Sequence, residues 1–600
     1  MDMLKRRDEI DDKYKWRLED IFESNELWFK TAEEAENKIG EIRKYAGKFT
    51  KNAAAMRSCI EDIYKLEDIV SRLYVYARMR RDENSADPVY QDLTGKAEML
   101  ITKFAAATSF FEPELLSLTN EKVAKYIKKD AGLKNYSFVI EEIMRKKGHV
   151  LSKNEEKLLA KTSEISSAGG DVFTMFNNAD IKFPILTDDK GNKVELTHGR
   201  YNKFLESPDR NLRKRAFKAL YDTYGKYKNT LAATYAASVK SDKFYAEIRK
   251  YSSCLAAALY QDNVPSTVYN SLIRTVHANI KKLTPYLVLR RKMLGVRKLH
   301  MYDLYVPFVK MPERTYTFEE ARDIVIEALR PLGEEYISVL KTAFTDGWID
   351  VHENQGKRTG AYSWGCYGCH PYVLLNWQGT IKDVFTLAHE LGHAMHSYYS
   401  NLTQPSHYAS YKIFVAEVAS TVNENLLMEY LLSNSKDDTE KAFLLNHYLE
   451  EFRATVFRQT MFAEFEKQAH KMYEKGEMLT CEALCSMYYK LQKKYFKKVM
   501  KIDKEIEMEW ARIPHFYTPF YVYKYATGFS SATILASGIL SGDADKLEKY
   551  LNFLKSGGSN YPMELLKEAG VDLSTSEPIQ SAMDLFEEKV SQLETLIASV

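Results

Sequence analysis

Residues 383–396 read Asp-Val-Phe-Thr-Leu-Ala-His-Glu-Leu-Gly-His-Ala-Met-His, and this run predicts an amphipathic helix. Thr380 and Asp383 have the spacing of a capping box, in which two side chains satisfy the first free N–H groups of a helix. Four apolar residues recur at helical spacing and can form its buried face: Val384, Ala388, Leu391 and Met395. The sequence therefore predicts a buried helix that begins at the capping box.

Two histidines of this helix are placed to bind one metal ion. His389 and His393 are four residues apart, so both imidazoles leave the helix on the same side, one turn apart. That separation suits two ligands of a tetrahedral zinc ion. Glu390 is rotated by about 100° from His389, so it is placed to reach a water on the metal rather than to be a ligand. The alternative is a helix with two unrelated histidines.

A third ligand is predicted at Glu417, within the run Phe-Val-Ala-Glu-Val-Ala. A carboxylate in such an apolar segment is costly to bury unless it is paired or bound to a metal. Glu424 lies two turns further along the same predicted helix and can accept a hydrogen bond from a ligand histidine, although a plain surface carboxylate is the alternative. His396 is predicted to be a packing residue rather than a ligand.

The segment before the predicted histidine helix has the strongest β-strand pattern in the chain. Three β-rich or extended pieces, 347–353, 361–371 and 372–377, are separated by glycines. They predict a small sheet whose exposed edge can hydrogen-bond an extended peptide, whereas the simpler alternative is an ordinary sheet. The predicted substrate contacts in this segment are Gly365, Tyr367 and Gly368.

A second motif in the same segment is misleading. Residues 366–370, Cys-Tyr-Gly-Cys-His, match the attachment pattern of c-type haem. Attachment of haem requires export to an oxidising compartment, and the N-terminus has no apolar run typical of a signal peptide. We therefore interpret the match as coincidence, and the roles of Cys366 and Cys369 stay open.

Composition bounds the fold class and the partners. A chain of 600 residues exceeds the size of a single hydrophobic core, which predicts two or more lobes. Only 15 prolines and 26 glycines favour a mainly helical protein. A predicted hairpin around residues 188–191 indicates a boundary between an N-terminal helical lobe, 1–195, and a catalytic lobe, 196–600.

Charge, hydropathy and cysteine content exclude several classes. A net charge of +2 argues against a nucleic-acid surface, and no apolar window is long enough for a membrane span. Six cysteines are too few for a disulfide framework in a chain of this length. We expect a cytoplasmic protein.

Residues 513–528 contain several tyrosines close in sequence to one histidine. Tyrosine and histidine side chains can donate hydrogen bonds to a negatively charged oxygen, although some of these rings are expected to be ordinary core. The residues concerned are His515, Tyr517, Tyr521, Tyr523 and Tyr525.

Taken together, these blocks resemble oligoendopeptidase F, a branch of the thimet-oligopeptidase-like zinc metallopeptidases. The resemblance rests on residues 357–363, the run 389–396, Phe-Val-Ala-Glu at 414–417, and Ile-Pro-His at 513–515. Residues 16–22 are similar as well, so it covers nearly the whole chain.

The resemblance implies a mainly α fold of the zincin or gluzincin type. In that fold two helical lobes enclose a deep substrate cleft, and a small β-sheet lies next to the active-site helix. It also implies one Zn²⁺ ion per chain, bound by His389, His393 and Glu417, with Glu390 as general base.

The family's transition-state stabilisers correspond to His515 and a nearby tyrosine. The assignment stays open between Tyr521 and Tyr523, and Tyr517 is a further candidate that we place among the substrate contacts. The implied function is an endopeptidase that cleaves short peptides by metal-activated water. Two alternatives remain at this point: an exopeptidase on the same fold, and a catalytically silent scaffold that binds peptides. The sequence does not predict the oligomeric state or the cleavage-site preference.

Overall fold

The computed structural model describes residues 4–309 and 314–599, and it is mainly helical, as predicted. The α-helices are α1 Asn25–Ile42, α2 Ala53–Glu83, α3 Pro88–Thr108, α4 Phe111–Leu116, α5 Asn120–Lys129, α6 Ala131–Lys134, α7 Ser137–Arg145, α8 Lys153–Met175, α9 His198–Leu205, α10 Arg210–Lys226, α11 Lys228–Ile248, α12 Cys254–Tyr260, α13 Ser266–Asn279, α14 Leu283–Met293, α15 Phe318–Ala328, α16 Glu334–Thr345, α17 Ile381–Thr403, α18 Ser406–Ala409, α19 Ile413–Asn434, α20 Asp438–Phe452, α21 Gln459–Glu474, α22 Cys481–Phe496, α23 Tyr523–Leu540, α24 Ala544–Ser556, α25 Pro562–Glu568 and α26 Glu577–Ser599. The strands are β1 Ile185–Thr187, β2 Lys193–Glu195, β3 Leu299–His300, β4 Ile349–Asp350, β5 Tyr362–Trp364, β6 Tyr372–Leu374 and β7 Met500–Lys501.

The chain folds into two compact units, each built from separate stretches of sequence. The first comprises Met1–Val150, Arg314–Tyr430 and Leu535–Val571, and the second comprises Leu151–Glu313, Leu431–Ile534 and Asp572–Val600. These units do not follow the predicted division at residue 195. Helix α8 packs on α11, where Gly169 brings the two backbones together, so residues 151–195 group with later helices. Patterning along the chain shows which face of a helix is buried but not which distant helix covers it.

Helices α1, α2 and α3 contribute much of the core of the first unit. The apolar stripe along α2 is buried, and it consists of Ile60, Ile63, Leu66, Val70 and Leu73. The fully buried indole of Trp28 in α1 donates a hydrogen bond to the Leu73 carbonyl, 2.9 Å away. This bond satisfies the single polar atom of the Trp28 side chain at the helix contact.

A three-stranded sheet in the first unit precedes α17. The strand order is β4-β6-β5, with β4 and β6 parallel and β5 and β6 antiparallel. Ser363 in β5 pairs with Val373 in β6, so β6 is the central strand and β4 and β5 are the two outer strands. The prediction of a small sheet before the histidine helix is therefore confirmed, while the role of its edge in binding a peptide stays a prediction.

The second unit contains the predicted hairpin, in which β1 and β2 pair antiparallel with Leu186 opposite Val194. A second small sheet pairs β3 with β7 in parallel. Helices α20 and α26 pack along each other. Across both described ranges, none of the helices has the length and apolar character that crossing a bilayer requires.

Candidate active site

Helix α17 carries the two predicted metal ligands and begins where the capping box placed it. The Thr380 hydroxyl accepts a hydrogen bond from the Asp383 N–H, and the Asp383 carboxylate accepts one from the Thr380 N–H at 2.8 Å. The helix then runs without a break to Thr403, and its interior face is buried. His389 and His393 both lie on a half-buried face, one turn apart.

Helix α19 approaches α17 very closely at Gly392, the residue between Leu391 and His393. A Cβ atom at position 392 would lie 2.5 Å from the Ser420 Cα and 2.8 Å from the Ala419 carbonyl oxygen. The Asn423 side-chain amide donates a hydrogen bond to the Ala388 carbonyl, 3.1 Å away, and fixes the same contact. Only glycine fits at this crossing, and the close approach brings Glu417 of α19 to the histidine face of α17.

The three predicted ligands meet at one point. The Nε2 atoms of His389 and His393 are 3.2 Å apart, and they lie 3.5 and 3.8 Å respectively from Oε2 of Glu417. Ligand atoms about 2.1 Å from a tetrahedral ion lie about 3.4 Å from one another. This donor set therefore fits a divalent metal ion, and it is the one such group of His, Cys, Asp and Glu found in the described residues.

Glu424 contacts one of the predicted ligands. Its Oε1 atom lies 3.1 Å from Nδ1 of His389, on the opposite side of the ring from the metal-facing Nε2. A carboxylate that accepts the Nδ1–H bond fixes the imidazole tautomer and leaves Nε2 free to bind a metal.

The charges of this cluster act differently on the two histidines. Burial lowers the pKa of His389, but the hydrogen bond and charge of Glu424, together with Glu390 and Glu417, raise it to about 9. Burial and the neighbouring His389 lower the pKa of His393 to about 3. The carboxylates thus make the site strongly attractive to positive charge, which favours binding of a cation.

Glu390 is 7% exposed and lies beside the ligands rather than among them. Burial raises the pKa of its carboxyl to about 7; Glu417 and Glu424 act in the same direction, and His389 and a hydrogen bond from the Ser363 N–H oppose it. Ser363 belongs to the outer strand β5, so the carboxyl faces the free edge of the sheet. A carboxyl with a pKa near 7 can both accept and donate a proton at neutral pH.

His396 is not part of the donor group. Its ring is 1% exposed and stacks on Tyr411, with ring centroids 3.7 Å apart and an angle of 7° between planes. The Tyr411 hydroxyl lies 2.9 Å from Ser397 Oγ and donates to the His393 carbonyl, so this tyrosine braces α17 beside the predicted ligands. Sequence patterning had no signal for Tyr411, because it lies in the turn between α18 and α19.

The three predicted substrate contacts around residue 367 differ in packing, backbone conformation and exposure. Gly365 lies against Pro371, whose Cα would be 3.1 Å from an added Cβ, and Gly368 has a φ of +80°. The Tyr367 ring is 38% exposed, and its hydroxyl donates to the Gln404 carbonyl, 3.2 Å away. None of these contacts identifies a substrate, so the role of the three positions stays a prediction.

The Cys-Tyr-Gly-Cys-His motif packs into the first unit. Cys366 is buried, and burial raises the pKa of its thiol to about 12. The His370 ring stacks on Trp348 at 5.0 Å, and its Nε2 lies 3.0 Å from the Asp20 carboxylate. Cys366 belongs to the core of this unit and Cys369 packs against that core.

In the second unit, His515 forms an aromatic cluster with two tyrosines. The His515 and Tyr521 rings are nearly parallel, with centroids 6.0 Å apart, and Tyr525 contacts both rings edge-on. His515 is exposed, while Tyr521 and Tyr525 are half-buried. Partial desolvation and the Arg458 charge lower the pKa of His515, which favours a neutral imidazole that can donate one hydrogen bond.

The other two candidate tyrosines pack against buried rings, with Tyr517 itself half-buried. Tyr523 is fully buried, and its ring packs on Tyr269 with centroids 5.1 Å apart. Tyr517 stacks on Phe173 at 4.5 Å, and burial raises its pKa above the usual value. This packing favours Tyr521 over Tyr523 as the tyrosine that faces a ligand, and it adds Tyr525 as a neighbour.

Comparison with known proteins places the whole chain among peptidases. The model for peptidase family M3 matches residues 203–585, and one described as Oligopeptidase F matches residues 114–183. The chain is 47% identical over 597 residues to oligopeptidase PepF of Bacillus subtilis, covering 100% of this chain and 89% of that protein. A solved structure from Chlamydophila abortus has a TM-score of 0.93 at 38% identity and covers 99% of this chain and 100% of its own. That of oligoendopeptidase-F from Enterococcus faecium has a TM-score of 0.75 at 38% identity, covering 96% and 100%.

Proposed function

The chain belongs to peptidase family M3 and is an oligopeptide-cleaving metallopeptidase, and from this we propose that it is a zinc-dependent endopeptidase with Glu390 as general base. The observation that carries the proposal is the convergence of His389, His393 and Glu417 beside a buried carboxyl. Two imidazoles and one carboxylate are a ligand set typical of catalytic zinc, with one position left for water.

A zinc ion held by these residues would supply Lewis acidity that activates a water molecule and polarises a peptide carbonyl. Glu390 accepts a proton from the attacking water and later delivers it to the amine that leaves. Burial of the Glu390 carboxyl raises its pKa, which favours its accepting a proton. Glu424 holds the His389 ring in the tautomer that binds the metal.

His515 and Tyr521 are the proposed hydrogen-bond donors to the oxyanion that develops on the carbonyl oxygen. The resemblance to oligoendopeptidase F implies this role, and two features support it. The imidazole of His515 is exposed, and its lowered pKa keeps the ring neutral. The full burial of Tyr523 leaves Tyr521 as the better candidate for the phenol.

The substrate is proposed to be a short peptide bound in extended form along the outer edge of β5. Backbone groups on a free strand edge bind a peptide without regard to sequence, which suits an enzyme that cleaves many oligopeptides. The names of the relatives, oligopeptidase and oligoendopeptidase, support internal cleavage. All six cysteines are free thiols, which supports the proposed cytoplasmic location.

Replacement of Glu390 by glutamine tests the proposal. Glu390→Gln keeps the shape of the side chain but removes the base, so kcat on a fluorogenic oligopeptide should fall about 100- to 10,000-fold. The zinc content should stay at one ion per chain, because Glu390 is not among the ligands. Glu334→Gln, at an exposed position in α16, is the matched control and should leave kcat unchanged. Near-normal turnover by Glu390→Gln would contradict the assignment.

A peptide of about ten residues, blocked at both ends, separates the remaining alternatives. An endopeptidase cleaves it internally, whereas an exopeptidase needs a free terminus and leaves it intact. A silent peptide-binding scaffold releases no product, with or without a chelator. Internal fragments that disappear when zinc is removed and return when it is restored would support the proposed function.

A further inference from the structure

A carboxyl group buried in the second unit holds the turn that carries Tyr521. Glu466 lies in α21 and is 0% exposed. Its Oε1 atom accepts a hydrogen bond of 2.6 Å from the backbone N–H of Phe520. Phe520 lies in the short linker between His515 and α23, directly before Tyr521. The contact therefore joins a helix of the core to the loop on which the proposed oxyanion donors lie.

The backbone at Phe520 is strained. Its φ is +54°, in the left-handed region that residues with a Cβ rarely adopt. Such a conformation is costly for a bulky residue and persists only where the surroundings enforce it. The Phe520 ring is enclosed by His470, with centroids 4.6 Å apart, and by Tyr269, at 5.7 Å. The ring contacts and the bond to Glu466 together enforce the turn.

The surroundings of Glu466 give no other reason for a carboxyl at this position. The N–H of Phe520 is the hydrogen-bond donor found for its carboxyl among the described residues, and no cation pairs with it there. Burial raises the pKa of Glu466 well above its usual value, and the negative charge of Asp242 raises it further. Burying such a group costs several kcal/mol, and a methionine of similar size would be less costly.

We propose that Glu466 is a positioning residue, which fixes the strained turn at Phe520 and thereby holds Tyr521 against His515. The stacking of Tyr521 on His515, with an angle of 7° between planes, is the geometry that the turn maintains. A protonated carboxyl still accepts the Phe520 N–H through its carbonyl oxygen, and so does an amide. The role therefore needs an acceptor oxygen at this place rather than a negative charge.

This inference rests on the proposed function, so its test uses the zinc-loaded full-length enzyme and a blocked fluorogenic oligopeptide. Glu466→Gln keeps the acceptor and should retain kcat within about 3-fold of wild type. Glu466→Met removes the acceptor oxygen, so Tyr521 is held less firmly. We expect kcat to fall about 10- to 100-fold with KM nearly unchanged. Glu464→Met is the matched control, because Glu464 is a buried glutamate of the same helix that pairs with His277 and Lys494 instead of the loop.

A double-mutant cycle with Tyr521→Phe separates positioning from a general loss of stability. If Glu466 acts through the Tyr521 hydroxyl, E466M lowers kcat in wild type but has little further effect in Y521F. A loss of kcat that is equally large in both backgrounds would overturn the proposal, and so would a kcat of E466M equal to that of wild type. Should E466M fail to fold, E466D, which withdraws the acceptor by one methylene group, takes its place in the cycle.

The failure of this inference is distinguishable from that of the proposed function. Wild-type enzyme that does not cleave the peptide contradicts the proposed function. Wild-type enzyme that cleaves it, with additive losses in the cycle, contradicts the role of Glu466 alone.

Discussion

Gly392 of α17 lies directly against Ser420 of α19, where an added Cβ would be 2.5 Å from the Ser420 Cα. The two helices meet at the one residue between the metal ligands that has no side chain. Glu417 is three residues before Ser420, so the contact sets the distance from its carboxylate to both histidines. Helix packing at this site therefore requires glycine at position 392, the second of the two residues between Glu390 and His393.

Replacement of Gly392 by alanine should separate the helices and loosen the metal site. The added methyl group meets backbone atoms of Ala419 and Ser420, which cannot move aside as a flexible side chain would. Overpacking of this kind costs about 1–3 kcal/mol. We expect a lower unfolding temperature and a weaker affinity for zinc, measured by competition with a chelator.

Gly95→Ala is the control for this variant. Gly95 lies inside α3 with nothing within 4 Å of an added Cβ. Alanine favours a helix over glycine by about 1 kcal/mol, so this variant should be as stable as wild type or more stable. Equal effects of the two substitutions would show that the contact with Ser420 does not matter.

Replacement of Glu424 by alanine should weaken zinc binding without removing a ligand. The variant loses the carboxylate 3.1 Å from Nδ1 of His389, which frees the ring to rotate and to change tautomer. Loss of such a partner typically costs about 10- to 100-fold in metal affinity. Glu424→Gln keeps an acceptor oxygen and should lose less. The measurement is the zinc dissociation constant, and an unchanged constant in the alanine variant would contradict the role.

Acid should destabilise the protein through Glu450 in the second unit. Burial raises the pKa of Glu450, but Arg290 and Arg453, each 2.7 Å from one of its oxygens, lower it to about 2. The folded pKa lies below the unfolded value of about 4.5, so this stabilisation is complete above pH 4.5 and is lost as the pH falls towards 2.

The matched comparison is Glu450→Gln, followed by thermal unfolding at pH 5 and at pH 3. The variant lacks the carboxylate and should be less stable than wild type at pH 5, because both guanidinium groups lose their partner. The gap between the two unfolding temperatures should narrow at pH 3. A gap that stays constant would exclude Glu450 as a source of the pH dependence.

The double variant Cys366→Ser, Cys369→Ser should retain zinc and turnover. Neither thiol belongs to the donor group of the site, and the Cys366 thiol stays protonated at neutral pH because burial raises its pKa to about 12. Some loss of stability is expected, since a buried thiol is replaced by a hydroxyl. Loss of zinc or of kcat at unchanged stability would assign the pair a chemical role.

Local features of the site were predictable because each depends on neighbouring residues. The capping box at Thr380 and the one-turn spacing of His389 and His393 follow from helix periodicity alone. Glu417 was predicted as the third donor from a carboxylate placed in an apolar run, and its carboxylate lies beside both imidazoles. Helix periodicity restricts the first two features to one arrangement, whereas the Glu417 side chain is 41% exposed, so the place of its carboxylate depends on the contact between α17 and α19.

Features that depend on which distant segments meet were not predictable. Four tyrosines follow His515 within ten residues, and only packing against Tyr269 and Phe173 shows which of them are core. The grouping of residues 151–195 with later helices was missed for the same reason.

The sequence by itself determined the helical class and the placement of His389, Glu390 and His393 on one helix, since helical spacing acts over one or two turns. The tertiary structure decided which strand edge faces Glu390, how closely α19 approaches at Gly392, and that Glu466 holds the turn at Phe520. These are contacts between segments far apart in the chain, and their geometry depends on close packing of side chains, which no local pattern records.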